Sequence, residues 1–247
     1  MRAVAFDLWG TLIRDAPGGG RRRMLERERQ LGAAYERAGA GIGAEAAVPQ
    51  AIRAAIDALV VAHQRNIDLS GQDRLDAFRS AMLECCPTTV EDDDLLSAIE
   101  HAICESASWE PPDIIDGAET TLVSLHERGL RLAVVSNTGL APGRYVEQAL
   151  RSRGLDRWIE AWIWSDDVLS WKPGQAIFEA TLEQLEVSAA EVAFVGDTPE
   201  ADILGAQHAN FGFTVLVGDK RDPAIEADLT LDSVAALTEA LEIQAAH

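Results

Sequence analysis

Arg2 to Leu8 is a nearly continuous apolar run closed by Gly10, the pattern of a strand buried on both faces, and it predicts the central strand of a sheet. From about Arg21 to Ser108 the apolar positions instead recur at helical spacing, with no strand-like run among them. They predict four helices, Arg22 to Ala38, Ala46 to Ile67, Arg74 to Cys85 and Asp92 to Ala107, separated by turns at Gly39 to Gly43, Ser70-Gly71 and Pro87-Thr88. Beyond Pro111-Pro112, helix and strand alternate. Strands are expected at Leu130 to Ser136, Ala161 to Ser165, Val192 to Val195, Phe213 to Val217 and Asp228 to Leu231. Helices are expected at Asp116 to Arg128, Gly143 to Ser152, Gln175 to Leu185, Glu200 to His208 and Ser233 to Ile243. Such alternation predicts an α/β fold, a mostly parallel sheet with helices on both faces. The first strand belongs to that sheet, so residues 16–112 form a helical insert in a core made of 1–15 and 113–247, entered through a glycine hinge at Gly18-Gly19-Gly20.

At 247 residues and 47% hydrophobic, the chain can bury one large core and a smaller satellite. A formal charge of −20 would repel a polyanionic backbone, which argues against a nucleic-acid partner. Lys172 and Lys220 are the only lysines, so positive charge is almost all arginine. Cys85, Cys86 and Cys104 lack the spacing of a zinc site, and reduced thiols in a cytoplasmic protein are expected. The N-terminus runs straight into a strand without a signal-like segment, and no apolar run reaches the ~20 residues of a membrane span, so no membrane partner is expected.

Chemistry concentrates where apolar runs end. Asp7 closes the first strand in Asp7-Leu8-Trp9-Gly10-Thr11, and Asp197 and Asp202 follow another in Gly196-Asp197-Thr198-Pro199-Glu200-Ala201-Asp202. A carboxylate at the C-terminal mouth of a parallel sheet, with an acidic pair beside it, suits a nucleophile next to a divalent cation. Val135-Ser136-Asn137-Thr138 ends a third strand, and Trp171-Lys172-Pro173 supplies an ammonium. Taken singly, each has an ordinary reading: a turn-capping Asp, a first-turn helix acid, a loop and a surface lysine. Their joint occurrence in this order resembles the haloacid dehalogenase-like hydrolase superfamily, in the form whose all-helical cap follows the first strand, and the likeness covers almost the whole chain.

That resemblance implies a Rossmann-like core and a helical cap domain. It makes Asp7 the nucleophile that forms an aspartyl-phosphate. Mg²⁺ would be held by Asp7, the Trp9 backbone carbonyl and Asp197, with Asp202 behind them, while Thr11, Ser136, Asn137 and Lys172 would serve the phosphoryl group. The implied partner is a small anionic substrate. Position 9 departs from the phosphatase pattern, because Trp9 stands where a second Asp would protonate the leaving oxygen, and indole has no acidic proton. General acid help is worth ~10²–10⁴-fold in rate. The metal-free dehalogenase branch also carries an aromatic residue there, which makes a 2-haloacid dehalogenase the alternative, although its last motif lacks the acids seen at Asp197 and Asp202. The phosphonate-hydrolase branch needs a cap lysine, and this insert has none. A weakly catalytic binder of phosphorylated ligands is a further alternative.

Two features of the insert bear on substrate. Arg21-Arg22-Arg23 follows the hinge and would present guanidinium groups to an anion, or lie solvated at a helix start. His63 would replace the missing acid if it faced the cleft, although a surface or packed histidine is the commoner fate. Trp158, Trp162, Trp164 and Trp171 are expected in the core or an interface, and Trp9 either packs beneath the cap or stacks on substrate.

Overall fold

The computed structural model describes residues 1–40, 43–87 and 91–245. Strand β1 (Ala3–Phe6) is wholly buried and pairs in parallel with β4 (Arg131–Ser136) on one side and β6 (Val192–Gly196) on the other. Phe6 lies opposite Val134 and Val195. Outward from these run β5 (Ala161–Trp164), β7 (Phe213–Val217) and β8 (Leu229–Leu231), giving the order β5-β4-β1-β6-β7-β8 with every pairing parallel. Crossover helices bury both faces of the sheet. Val4 and Phe6 meet Leu122 and Leu125 of α6 (Ala118–Glu127) and Leu150 of α7 (Gly143–Arg151). Ala3 and Ala5 face Ile177 and Phe178 of α9 (Gln175–Leu185). The doubly wound α/β arrangement read from the alternating pattern is therefore present, and the order reverses at β1, which opens a crevice at its carboxyl end.

The insert is a helical bundle with its own apolar centre, to which Leu140 and Tyr145 from beyond β4 also contribute. Helices α1 (Gly19–Arg37), α2 (Ala44–His63), α3 (Gly71–Cys85) and α4 (Asp93–Cys104) enclose Leu31, Tyr35, Ile52, Phe78, Met82 and Ile99. A capping box between Ser70 and Asp73 starts α3, and Asp92 caps α4. Among the described residues α2 alone has the length and composition to cross a membrane, and Val48, Ile52 and Leu59 bury its apolar face in this bundle. Cys85, Cys86 and Cys104 are unpaired.

The structure differs from the periodicity at several ends. The helix expected to run to Ala107 stops at Cys104, and a short α5 (Ser106–Trp109) follows. The buried Arg27 guanidinium draws the chain aside there by donating to the Ala102 and Ile103 carbonyls and the Ser106 hydroxyl. Helix α2 ends at His63 instead of continuing to Ile67, because Asn66 turns left-handed and Ile67 bridges to Ser170 of the sheet domain. The helix expected from Glu200 begins as a wider turn, Pro199–Leu204, before α10 (Gly205–His208), and α11 (Leu237–Ala245) starts four residues after Ser233. A two-stranded ribbon of β2 (Ile13–Arg14) and β3 (Asp113–Ile114), too short to show as alternation, ties the two chain crossings together. The short α8 (Ser165–Val168) after β5 was also not foreseen. The turns expected at Gly39 to Gly43 and Pro87-Thr88 fall partly on Gly41, Ile42 and Thr88, outside the described residues.

Candidate active site

Asp7 leaves the end of β1 with its N–H donated to the Val195 carbonyl at 2.8 Å, so the sheet itself fixes where the carboxylate emerges. Lys172 arrives from the loop before α9 and is almost completely buried. Its ammonium donates to Asp7 Oδ1 at 2.7 Å, to Asp202 Oδ1 at 2.7 Å and to the Val135 carbonyl at 2.9 Å. Asn137 grips the same loop reciprocally: its Oδ1 accepts from the Lys172 N–H at 2.7 Å and its Nδ2 donates to the Lys172 carbonyl at 3.2 Å. Thr11 donates to Asp7 Oδ2 at 3.0 Å. Both oxygens of Asp7 are thus tethered, which sets its rotamer before any ligand arrives.

Of the downstream acids, Asp197 directly follows β6 and Asp202 lies in the wide turn Pro199–Leu204. Asp202 Oδ2 accepts the Thr198 N–H at 2.9 Å, and Asp197 accepts from the Thr198 hydroxyl at 2.8 Å and from Lys220 Nζ at 2.6 Å. Two glycines make room. Gly10 has φ of 89°, and a Cβ there would collide with the Asp197 carboxylate; one at Gly196 would collide with Asp202. Carboxylate oxygens of Asp7, Asp197 and Asp202 all lie within 4.8 Å of one another.

Burial pushes the Asp7 carboxyl up to about 7, and the charges of Asp202 and Asp197 add to it against the pull of Lys172. For Lys172, burial works toward the neutral amine, but Asp202 and Asp7 outweigh it and raise the pKa, so the ammonium persists. Three carboxylates face two ammonium groups, of which Lys220 is more than half exposed. An all-oxygen, net-acidic donor set with free lone pairs fits a hard divalent cation.

These groups border a cavity of about 450 Å³, whose wall also includes Trp9, His63 and Trp171. A second cavity of about 470 Å³, shared at Trp9 and His63, extends between bundle and sheet and is lined by Arg23, Arg27, Leu59 and Leu140 among others. Ser136 and Thr11, expected to contact the phosphoryl group, are buried away from both walls: the Ser136 hydroxyl donates to the Asn137 carbonyl at 3.2 Å and Thr11 faces Asp7. Of the arginine run, Arg21 is exposed, Arg22 pairs with Glu110, and Arg23 pairs with Asp15 while its guanidinium lies 5.8 Å from the Trp9 ring centroid. Trp158, Trp162 and Trp164 pack in or against the sheet core as expected. Trp171 lies in the interface with the helical insert, stacked on His63 with centroids 3.5 Å apart, and also lines the cavity.

His63 Nε2 lies 3.0 Å from Asp68 Oδ1. Asp68 is fully buried, paired with Arg74 at 2.9 Å and hydrogen-bonded by Ser165 at 2.6 Å. Arg74 reaches on to the Gly139 carbonyl and Thr138 hydroxyl, so this network joins the helical bundle to the loop that follows β4. Neither Asp68 nor Lys220 was singled out from sequence, since an acid just past a helix and a lysine in a polar loop carry no local signal. Only their placement in space distinguishes them.

A family model described as a haloacid dehalogenase-like hydrolase matches residues 1–210. The chain is 29% identical to a phosphoglycolate phosphatase of Yersinia pestis over 209 residues, covering 85% of this chain and 78% of that protein. It is 32% identical to a ribulose-1,5-bisphosphate 5-phosphatase of Halopiger xanaduensis over 135 residues, 54% of this chain and 53% of that protein. The chain thus spans about half the length of this relative and of some others. A 2-haloacid dehalogenase from Pseudomonas syringae pv. Tomato DC3000 superposes over 99% of both chains with a TM-score of 0.67 at 20% identity, a likeness of fold.

Proposed function

The chain belongs to the haloacid dehalogenase-like hydrolase family, and on that premise we propose that it is a Mg²⁺-dependent phosphatase of a small phosphorylated molecule, acting through Asp7. The observation that carries the reading is the acidic trio Asp7, Asp197 and Asp202 gathered around the Lys172 ammonium. A dehalogenase attacks carbon and has no use for a metal-holding carboxylate cluster. Its one support in this chain is the aromatic Trp9.

In this mechanism a carboxylate oxygen of Asp7 forms a bond to phosphorus as the bond to the leaving oxygen breaks, and water then cleaves the aspartyl-phosphate to return Asp7 and phosphate. Lys172 offsets the repulsion between the anionic nucleophile and the anionic phosphoryl group. Thr11 and Lys172 hold Asp7 in one orientation, and Asn137 holds the Lys172 backbone. Asp7, Asp197 and the Trp9 backbone carbonyl would hold Mg²⁺, with Asp202 behind them, and the bound cation would neutralise charge on the phosphoryl oxygens. Residues 16–112 would act as a cap over a core of 1–15 and 113–247, with the second cavity receiving the leaving group.

The deciding experiment measures phosphate release from an activated ester and halide release from 2-chloropropionate, each with Mg²⁺ and with EDTA. Mg²⁺-dependent phosphate release that stops in Asp7→Asn, with metal dependence sharply weakened in Asp197→Asn, is the expected result. Metal-independent halide release would move the assignment to the dehalogenase, and tight binding of phosphorylated ligands without turnover would move it to a binding protein.

A further inference from the structure

We propose that His63, carried on the helical insert, is the proton donor for the leaving oxygen, in place of the carboxylic acid absent at position 9. The proposal rests on the phosphatase reading of Asp7. Three observations converge on this side chain. First, His63 is on the wall of the same cavity as Asp7 and Trp9, and it also borders the second cavity, where the leaving group would lie. Second, its ring is fixed: Trp171 stacks against one face, and Asp68 Oδ1 occupies Nε2. Trp171 precedes Lys172 in the chain, so the imidazole is registered against the residue that holds Asp7. Third, no other bond engages the ring among the described residues, which leaves Nδ1 for a ligand.

A histidine that only closed the C-terminal end of α2 would need none of this support. Instead the helix stops at His63 and the chain folds back, pinned where the Trp171 N–H donates to the Asn66 carbonyl at 3.1 Å and the Asp68 N–H to the Leu169 carbonyl at 3.3 Å. That fold-back delivers the buried Asp68 carboxylate to the imidazole. Asp68 in turn is held by Arg74, Ser165 and the Leu69 N–H. A carboxylate fixed on Nε2 holds the ring in one orientation and leaves Nδ1 as the nitrogen free to meet the substrate, as the buried Asp of a Ser-His-Asp triad orients its histidine.

The step balances without any further reactant. As the Asp7 oxygen bonds to phosphorus and the ester bond breaks, the Nδ1 proton passes to the departing oxygen, giving a neutral alcohol and a neutral imidazole. Water then attacks the aspartyl-phosphate, its proton returns to Nδ1, and the Asp7 carboxylate, phosphate and imidazolium are regenerated. Asp68 acts as a positioning residue and keeps its charge throughout.

The test compares an activated aryl ester, 4-nitrophenyl phosphate, with an alkyl phosphate, in Mg²⁺, for the parent, His63→Ala, His63→Gln and Asp68→Asn, each shown by its circular dichroism spectrum to be folded at the assay temperature. An aryl leaving group departs as a stable anion, whereas an alkoxide needs the proton. The parent should cleave both. His63→Ala and His63→Gln, the latter keeping a donor toward Asp68, should lose ~10²–10⁴-fold on the alkyl ester and less than ~10-fold on the aryl ester. Asp68→Asn should show the same selectivity in weaker form. Equal losses on both esters, no loss on either, or a parent that already cleaves only the aryl ester would overturn the role of His63 and leave the phosphatase reading standing. A parent inert toward every phosphate ester in Mg²⁺ would remove both.

Discussion

Lys220 Nζ lies 2.6 Å from Asp197 Oδ2, and with Lys172 bonded to Asp7 and Asp202 both lysines of the chain end on the acidic trio. Lys172 is buried and fixed, whereas Lys220 is largely exposed and occupies an oxygen that a cation would claim. Lys220→Gln should therefore tighten Mg²⁺ binding by up to ~5-fold, the scale of an exposed ion pair. Calorimetric titration of the two proteins measures it; weaker binding in the variant would mean that Lys220 assists the site instead of competing for it.

The raised Asp7 carboxyl makes stability depend on pH in a definite direction. With a folded pKa of about 7 and an unfolded value near ~4, Asp7 binds more protons folded than unfolded between these limits, so the metal-free protein should lose stability as pH rises through that window. A cation on the carboxylates opposes the loss. Added Mg²⁺ should raise Tm more at pH 8 than at pH 5, and equal shifts at both would place the ion elsewhere.

Asp68 behaves in the opposite sense. Burial works to raise its carboxyl, but His63, Arg74 and Ser165 outweigh it and hold it below the ordinary value. Its contribution is present above the unfolded value of ~4 and is lost as pH falls through the lower folded value. Asp68→Asn removes the buried ion-pair partner of Arg74 and should cost ~3–5 kcal/mol. Urea unfolding at neutral pH measures that cost, and a loss under 1 kcal/mol would show the pair to be dispensable.

The three arginines after the hinge should separate kinetically. Arg23 borders the second cavity beside Trp9, whereas Arg21 is exposed. Arg23→Ala should raise KM for an anionic substrate with less change in kcat, and Arg21→Ala should match the parent. Equal effects from both would point to general charge attraction without a specific contact.

Trp9 supplies a complementation test. In a His63→Ala background, Trp9→Asp should return alkyl-phosphate turnover by placing a carboxylic acid where the indole stood, since either group would serve the same proton. Removing a large, partly buried side chain could cost up to ~3–5 kcal/mol, so Tm is measured alongside. A folded double variant that gains nothing on the alkyl ester would count against proton donation from that side of the cavity.

Much of this protein was legible in the chain because the signals are local or periodic. A continuous apolar run marked β1, and helical spacing separated the insert from the alternating core. Short motifs marked Asp7 and Asp197 at strand ends, and Lys172 and Asp202 in the connections that follow β5 and β6, since a parallel sheet brings the ends of its strands to one edge. Other features follow from contacts between residues far apart in sequence. Helix α2 ends at His63 because Ile67 finds a partner in Ser170, and α4 ends where Arg27 takes its carbonyls. Thr11 and Ser136 turn inward to Asp7 and to the Asn137 carbonyl, and the indole of Trp171 turns out to the cavity. The pairings of Asp68 with His63 and of Lys220 with Asp197 have no sequence signature, because a hydrogen bond depends on ångström distances that only the packed chain sets.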